Sequence, residues 1–414
     1  MSQRPTSMKR LLSALLRPFT LGHEYSKLWG GQTLSALTDK ITSMVLSILV
    51  LQRTGSATKA SVGLLLEMIP ALVLGPVAGV ILDRVERKRV LVFSDLARTL
   101  AGLTMAYAFY AGHFGLFHVY GWMTLNGIIK AFYDAATNAV IPMVVERESI
   151  QAANAVHTLG KNTAMILGPA LGGVALSRLG GTWTLAVGAV AFSAAAGCMW
   201  FIRPVFEDRA GPSAMRPGLS EALEGFRFYK TVPLAMHLLI LTVMVNLCTM
   251  PSGLAFQYHV LNVLKKDSDV LGFAFSVAAV ASSITSYFIA ARGRMKRLGS
   301  TLALGIAALA LSFVGIGVSR QVWQVFAAFA LFGGSTPFIQ VPISTLYQEI
   351  TPPEIRGRVF ALRFTVSTFL SPVSTPLVGI GLDAMGSTAV LLVLAAVLGA
   401  VSVGALARGT VREA

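Results

Sequence analysis

The chain has 414 residues, 54% of them hydrophobic and 13% charged, with a mean hydropathy of +0.68. A soluble domain carries about twice that charged fraction, so a water-soluble fold is excluded and lipid is the expected solvent for the surplus apolar surface. The formal charge of +15 does not point to nucleic acid, because the basic residues fall in short clusters between apolar runs and not along one face.

Residues 1–23 form a basic tail whose one apolar run, Leu11 to Leu16, stops at Arg17. That run is too short and interrupted for a signal peptide, and an interfacial amphipathic helix is expected. A helix needs about 20 apolar residues to cross the hydrocarbon core. Twelve segments meet this requirement, at roughly 28–51, 60–82, 90–111, 118–141, 155–177, 183–202, 232–254, 270–290, 299–318, 322–347, 359–382 and 387–407. With the N-terminus inside, 23 of the 34 lysines and arginines lie in inner segments and 6 in external loops. The positive-inside bias then puts both termini in the cytoplasm.

The longest hydrophilic stretch, 203–231, divides the chain into six-helix halves at 24–202 and 232–407, with a C-terminal tail at 408–414. The halves echo each other. Asp83 to Arg89 follows the second segment, and the basic cluster Arg292 to Arg297 follows the eighth. Ile141-Pro142 leads toward the fifth segment, as Ile350-Thr-Pro-Pro leads toward the eleventh. Duplication of a six-span unit is a transporter architecture with the substrate path between repeats. The expected fold is therefore all-α and integral to the membrane, with twelve helices in two pseudo-symmetric bundles.

Ionisable residues inside such segments cost about 2.5–3.5 kcal/mol at a helix centre and usually face a cavity. Asp39 and Lys40 lie in the first segment, Glu67 in the second, Asp95 and Arg98 in the third, Lys130 and Asp134 in the fourth, and Lys161 in the fifth. Asp39 is the first candidate for carrying a coupled proton and Glu67 the second. Lys130 and Asp134 are candidates for charges facing the cavity, or alternatively a self-neutralising pair one turn apart. Asp95 and Arg98 read as a local pair supporting the Asp83 loop. Lys40 is expected to turn away from Asp39 and snorkel or pair elsewhere.

The two cysteines, Cys198 and Cys248, both lie in apolar runs, which excludes a disulfide framework and a cysteine metal site. His157 and His237 sit in no ligand cluster. No G-x-x-x-x-G-K-S/T loop is present, and no soluble stretch is long enough for an enzyme. No cofactor and no metal are expected, and transport energy must come from a gradient or from the substrate itself.

The stretch Gly79-Val-Ile-Leu-Asp83-Arg84-Val-Glu-Arg87-Lys88, placed after the second segment, resembles the loop signature of the major facilitator superfamily. The subgroup it looks like is that of twelve-span drug:proton antiporters, among them macrolide and enterobactin exporters. Gly75-Pro-Val-Ala-Gly-Val, Asn138-Ala-Val-Ile-Pro142, Thr345-Leu-Tyr-Gln-Glu349 and Arg356-Gly-Arg-Val-Phe360 carry that likeness, and Gly168-Pro169-Ala-Leu-Gly172-Gly173 is similar to the fifth-helix motif of exporters.

The resemblance implies a monomer in the bacterial inner membrane that exports an amphipathic small molecule, drug-like, macrolide-like or siderophore-like, in exchange for protons. It further implies that Asp83 caps the start of the eleventh helix, a contact worth about 0.3–1 kcal/mol when exposed, with Arg87 steadying the acid and Gly79 allowing close approach. Asn126 stands where such exporters usually carry an arginine, so that arginine's role is not transferred. A lysophospholipid flippase or solute importer of the same fold is the alternative within transport. A non-transporting receptor or scaffold is the alternative outside it.

Overall fold

The computed structural model describes residues 21–82, 84–203, 226–292, 297–352 and 355–407. The expectations placed on the N-terminal tail to residue 20, on Asp83, on most of the central loop and on the C-terminal tail lie outside the described residues. The described residues are helical with short connections, and no strand occurs among them.

In chain order the helices are α1 (His23–Thr54), α2 (Ala57–Leu82), α3 (Arg87–Tyr110), α4 (Leu116–Val144) and α5 (Ile150–Trp200). They continue as α6 (Pro233–Thr249), α7 (Ser252–Tyr258), α8 (Ser268–Arg292), α9 (Leu298–Val318), α10 (Val322–Ile350), α11 (Arg356–Phe369) and α12 (Ser371–Ala407). A short π-helical turn, His259–Val263, follows α7. Among the described residues, nine continuous helical stretches are long and apolar enough to cross a membrane. Two of these are double length, and α5 and α12 each fold at a glycine. Gly180 adopts φ 72° and ψ 174° and Gly386 adopts φ 79° and ψ 168°, a region that costs residues with a Cβ but not glycine. Such a bend ends one helix and starts the next without a loop.

The helix ends follow from their sequences. Glu24 in the first turn of α1 pairs with Lys27 at 2.7 Å and accepts the Arg203 backbone N–H at 2.6 Å. Arg53 lies in the last turn of α1, where a cation suits the helix dipole. The start of α2 is capped by Asp383 of α12. Its carboxylate accepts from Ser56 Oγ at 2.7 Å, the Ala57 N–H at 2.7 Å and the Thr58 N–H at 3.0 Å, satisfying donors that no intrahelical carbonyl can reach.

The chain divides into two compact units. One holds the described residues of 1–46 and 66–214, the other those of 47–65 and 215–414. In the first unit Tyr25, Leu28, Leu91, Tyr133, Ile141 and Met199 form a buried core, and Tyr25 donates to the Ala153 carbonyl at 2.6 Å. In the second unit the ring of Phe256 meets Phe313, Phe329 and Phe332 with centroids 5.5, 5.1 and 5.4 Å apart, the edge-to-face range for aromatic pairs.

Small residues set the helix spacing, as is usual in membrane bundles. In the first unit a Cβ on Gly127 of α4 would strike the backbone of Glu67 on α2. In the second, a Cβ on Gly333 of α10 would strike the backbone of Ala278 on α8. The two crossings occupy matching places in the two sequence halves. Outward, large apolar side chains such as Leu100, Tyr107, Phe117, Trp183, Leu304 and Val403 stand exposed. Apolar surface of that extent needs a non-aqueous solvent.

Two predictions follow from this packing. Gly333→Leu should destabilise the protein by about 1–3 kcal/mol through overpacking, whereas Gly197→Ala, whose added Cβ meets nothing within 4 Å, should not; tryptophan-fluorescence melting in detergent reads the difference. Asp383→Ala should cost about 0.5–2 kcal/mol, the value of a lost N-cap, in the same assay.

Candidate functional site

Polar residues recur at helical spacing along one face of each of two helices of the first unit. On α1 they are Gln32, Ser35, Asp39 and Ser43. On α4 they are Asn126, Lys130, Asp134 and Thr137. Residues three or four apart share a helix face, so each set forms a stripe. Gln32, Ser35, Asp39, Asn126 and Thr137 are all buried.

A continuous hydrogen-bonded chain joins two buried acids. Asp95 accepts from Ser35 Oγ at 2.6 Å, from Arg98 Nη1 at 3.3 Å and from the Tyr133 hydroxyl at 3.3 Å. Arg98 Nε donates to Asn126 Oδ1 at 2.9 Å, and Asn126 Nδ2 donates to Asp39 Oδ1 at 2.6 Å. The guanidinium lies over the rings of Tyr133 and Phe192, 5.0 and 5.5 Å from their centroids. The amide of Asn126 thus passes the influence of Arg98 to Asp39 with every polar atom of the link used.

The other oxygen of Asp39 faces cations. Lys40 Nζ is 3.3 Å away and Lys130 Nζ 3.9 Å. Lys130 Nζ is also 3.6 Å from Glu67 Oε1, while Ser43 Oγ donates to Glu67 Oε2 at 3.0 Å. Lys130 therefore stands between two carboxylates without a short hydrogen bond to either. Asp134 pairs with Lys161 of α5 at 2.9 Å. The cluster holds four acids, Asp39, Glu67, Asp95 and Asp134, and four bases, Lys40, Arg98, Lys130 and Lys161. The buried charges among them, Asp39, Glu67, Asp95 and Arg98, must be compensated, whereas Asp134 and Lys161 form a half-exposed pair.

This geometry differs from the sequence-based expectations in three places. Lys40 does not turn from Asp39 but pairs with it, because a Cβ on Gly168 of α5 would strike the Lys40 Cβ, and α5 closes the other side. Lys130 and Asp134 do not neutralise each other, because helices α1, α2 and α5 offer each a better-placed partner. Asp95 and Arg98 do pair, but in the core beside Asn126 and not at the loop near residue 83. Asp39, Glu67 and Lys130 come together. Ser35, Ser43, Tyr133, Gln32 and Thr137 join them without having been singled out; their regular spacing in the two polar stripes was the signal available.

The fifth-helix glycines form the seam against α1. Gly168 passes Lys40, a Cβ on Gly172 would lie 3.2 Å from the Ile41 carbonyl oxygen, and Gly160 faces Trp29 and Thr33. Pro169 sits within α5 and Gly173 is buried. At the loop between α2 and α3, Gly79 lies in the last turns of α2 with open space around it. Arg84 is exposed, Arg87 begins α3, and Lys88 Nζ lies 6.0 Å above the Trp200 ring. Leu82, Arg87, Lys88, Met143, Met199 and Ile202 are among the residues lining a recess of about 150 Å³ there. In the second unit Arg356 donates to the carbonyls of Gln348 and Thr351 at 3.0 and 3.3 Å, so it closes the C-terminal end of α10.

A profile of the Major Facilitator Superfamily matches residues 28–375, and the chain belongs to that family. It is accordingly a multi-pass membrane transporter with a helical-bundle fold and not an enzyme. Among relatives, it is 23% identical over 367 residues to macrolide efflux protein A of Streptococcus pyogenes, covering 88% of this chain and 90% of that one. It is 26% identical over 322 residues to the enterobactin exporter EntS of Escherichia coli, covering 75% and 73%. Among solved structures, the nucleoside transporter NupG superposes with a TM-score of 0.71 at 12% identity, over 93% of this chain and 99% of that one.

The buried relay predicts a stability effect. Asn126→Leu leaves Arg98 Nε and Asp39 Oδ1 without their partner, which should cost about 1–3 kcal/mol. The melting temperature of the purified protein checks this, with Thr104→Ala, at an exposed site on α3, as the neutral comparison.

Proposed function

We propose that this transporter exports an amphipathic small molecule, drug-like, macrolide-like or siderophore-like, across a bacterial cytoplasmic membrane in exchange for protons. The observation that carries the reading is the placement of Lys130 between Asp39 and Glu67, at 3.9 and 3.6 Å. A proton taken by either carboxyl removes one claim on the lysine and frees it to move fully to the other. A half-buried cation that can change partner is a two-state element, and a transport cycle needs one whose balance a proton can bias. The efflux relatives and the glycine seam of α5 support export as the direction.

The proposed architecture has twelve spans with both termini in the cytoplasm. Counting the two arms of α5 and of α12 separately, together with the 29-residue α4, supports that number. In this reading residues 24–202 and 232–407 rock as a monomer by alternating access. The loop from Gly79 through Asp83, Arg84, Arg87 and Lys88 is the cytoplasmic gate, with Asp83 at the dipole of a facing helix.

Proteoliposome flux under an imposed pH gradient tests the coupling, with a macrolide and a catecholate siderophore as probes. An acid that carries the coupled proton cannot be replaced by its amide, which does not titrate, so Asp39→Asn or Glu67→Gln should abolish most gradient-driven flux. Full proton-driven flux in both variants would exclude these acids. Asp83→Asn should slow turnover more than it weakens substrate binding, and the reverse pattern would remove the gate. Uptake of a labelled lysophospholipid with no response to pH would favour the flippase alternative.

A further inference from the structure

The connection between α1 and α2 is two residues long, Gly55 and Ser56, and Gly55 adopts a φ of 66°. So short a turn makes the adjoining helix ends one hairpin. Residues 47–65, which form it, belong to the first half of the sequence yet fall in the compact unit of residues 215–414. Three contacts hold them there. The Asp383 carboxylate accepts from Ser56, Ala57 and Thr58 at the start of α2. Gly379, one turn earlier on α12, lies so close that a Cβ there would strike Ser61. Ser47 Oγ of α1 donates to Gln257 Oε1 of α7 at 2.8 Å, with both side chains buried.

The receiving side is held in place by a second set of bonds. Three residues after Asp383 the chain bends at Gly386, and the residues beyond the bend are pinned. His259 Nε2 lies 3.2 Å from the Ser319 carbonyl, which can only accept, so the neutral ring carries its proton there. Nδ1 then accepts from Ser387 Oγ at 2.9 Å. Thr388 Oγ1 donates to the Gly317 carbonyl at 2.8 Å. Gln257 precedes His259 by two residues. Both polar partners of the hairpin are therefore mounted on one hydrogen-bonded corner built from α7, α9 and α12.

Capping alone does not require Asp383. Ser56 is of a type preferred at helix starts, and its Oγ already accepts from the Lys59 N–H at 3.3 Å. Asp383 comes instead from more than 300 residues away, so it joins distant parts of the chain. Its side chain is exposed, and an exposed ionic contact is made and broken at small cost. When it withdraws, water can take its place while Ser56 keeps the first turn of α2.

The position has a counterpart in the sequence. Asp83 follows the end of α2 and, by the family resemblance, caps the start of α11. Asp383 lies at the far end of the span that α11 begins, and it caps the start of α2. Resting on the alternating-access reading above, we propose that Asp383 is the outer latch of the transport cycle, the counterpart of Asp83 at the cytoplasmic gate. The latch is engaged in this structure. It must release α2 before residues 24–202 can swing away from residues 232–407 on the outer side.

Double electron–electron resonance on the purified full-length protein in nanodiscs tests this, without substrate or pH gradient. Spin labels are placed at Gln52→Cys and Lys266→Cys, both exposed, with Cys198 and Cys248 replaced by alanine. The intact latch should give a dominant short distance. Asp383→Ala should raise the ratio of long to short distances about tenfold. Gln257→Met, remote from the cap, should shift it severalfold in the same direction. Adding Ser56→Asp to Asp383→Ala supplies a carboxylate cap from within the hairpin. It should restore the melting temperature and leave the long distance raised. Recovery of the short distance in that double variant would reduce Asp383 to a cap and overturn the proposal. Unmoved distances in both Asp383→Ala and Gln257→Met would also overturn it. Shifted distances without macrolide or siderophore flux would sink only the efflux reading, and flux with unmoved distances only the latch.

Discussion

Among the described residues of the first unit, Lys130 is a cation that stands between two carboxylates. Its ammonium group lies outside hydrogen-bond length of both Asp39 and Glu67, so neither pair is closed. The buried acids Asp39 and Asp95 are tied more tightly, Asp39 by Asn126 and Lys40 and Asp95 by Ser35, Arg98 and Tyr133. A tightly paired charge in a low-dielectric interior is a fixed structural element, because breaking it leaves an uncompensated ion. A loosely shared one can change partner at modest cost.

That arrangement exists because helices without side-chain bulk can approach closely. Gly127 lets α4 press against α2 at Glu67, and Lys130 follows within one turn of that contact. Gly168 and Gly172 let α5 close on α1 beside Lys40 and Ile41. Between bundle helices in lipid no hydrophobic force drives association, so packing and polar contacts carry it. The glycine seams and the polar stripes are thus two parts of one device. The seams bring backbones close enough for short side chains such as Ser35, Ser43 and Asn126 to reach across.

Much of the site was legible from the chain alone. Asp39, Glu67 and Lys130 stood out because each is ionisable in an apolar run, where it costs several kcal/mol and must have a reason to be there. The glycines of α5 stood out by motif. Asn126 was visible only as a departure from a family pattern; that it carries the contact between Arg98 and Asp39 depends on α3 and α4 lying at bonding distance. Gln32 and Thr137 were visible only through their spacing in the two polar stripes, since single uncharged polar residues in a membrane helix are common and bond their own backbone as often as anything else.

Composition and apolar run length by themselves determined an α-helical membrane protein, because in lipid a chain must satisfy its backbone polar groups internally and a run of about 20 residues does so as a helix. Family membership was equally legible, since the loop signature at residues 79–88 depends on order and spacing along the chain. Only the tertiary structure decided which charges pair. Lys40 went to Asp39, Asp134 to Lys161, and Arg98 to an asparagine 28 residues away. Side-chain partners are chosen by where neighbouring helices cross. Those crossings are fixed by contacts between residues far apart in sequence, which local spacing does not encode.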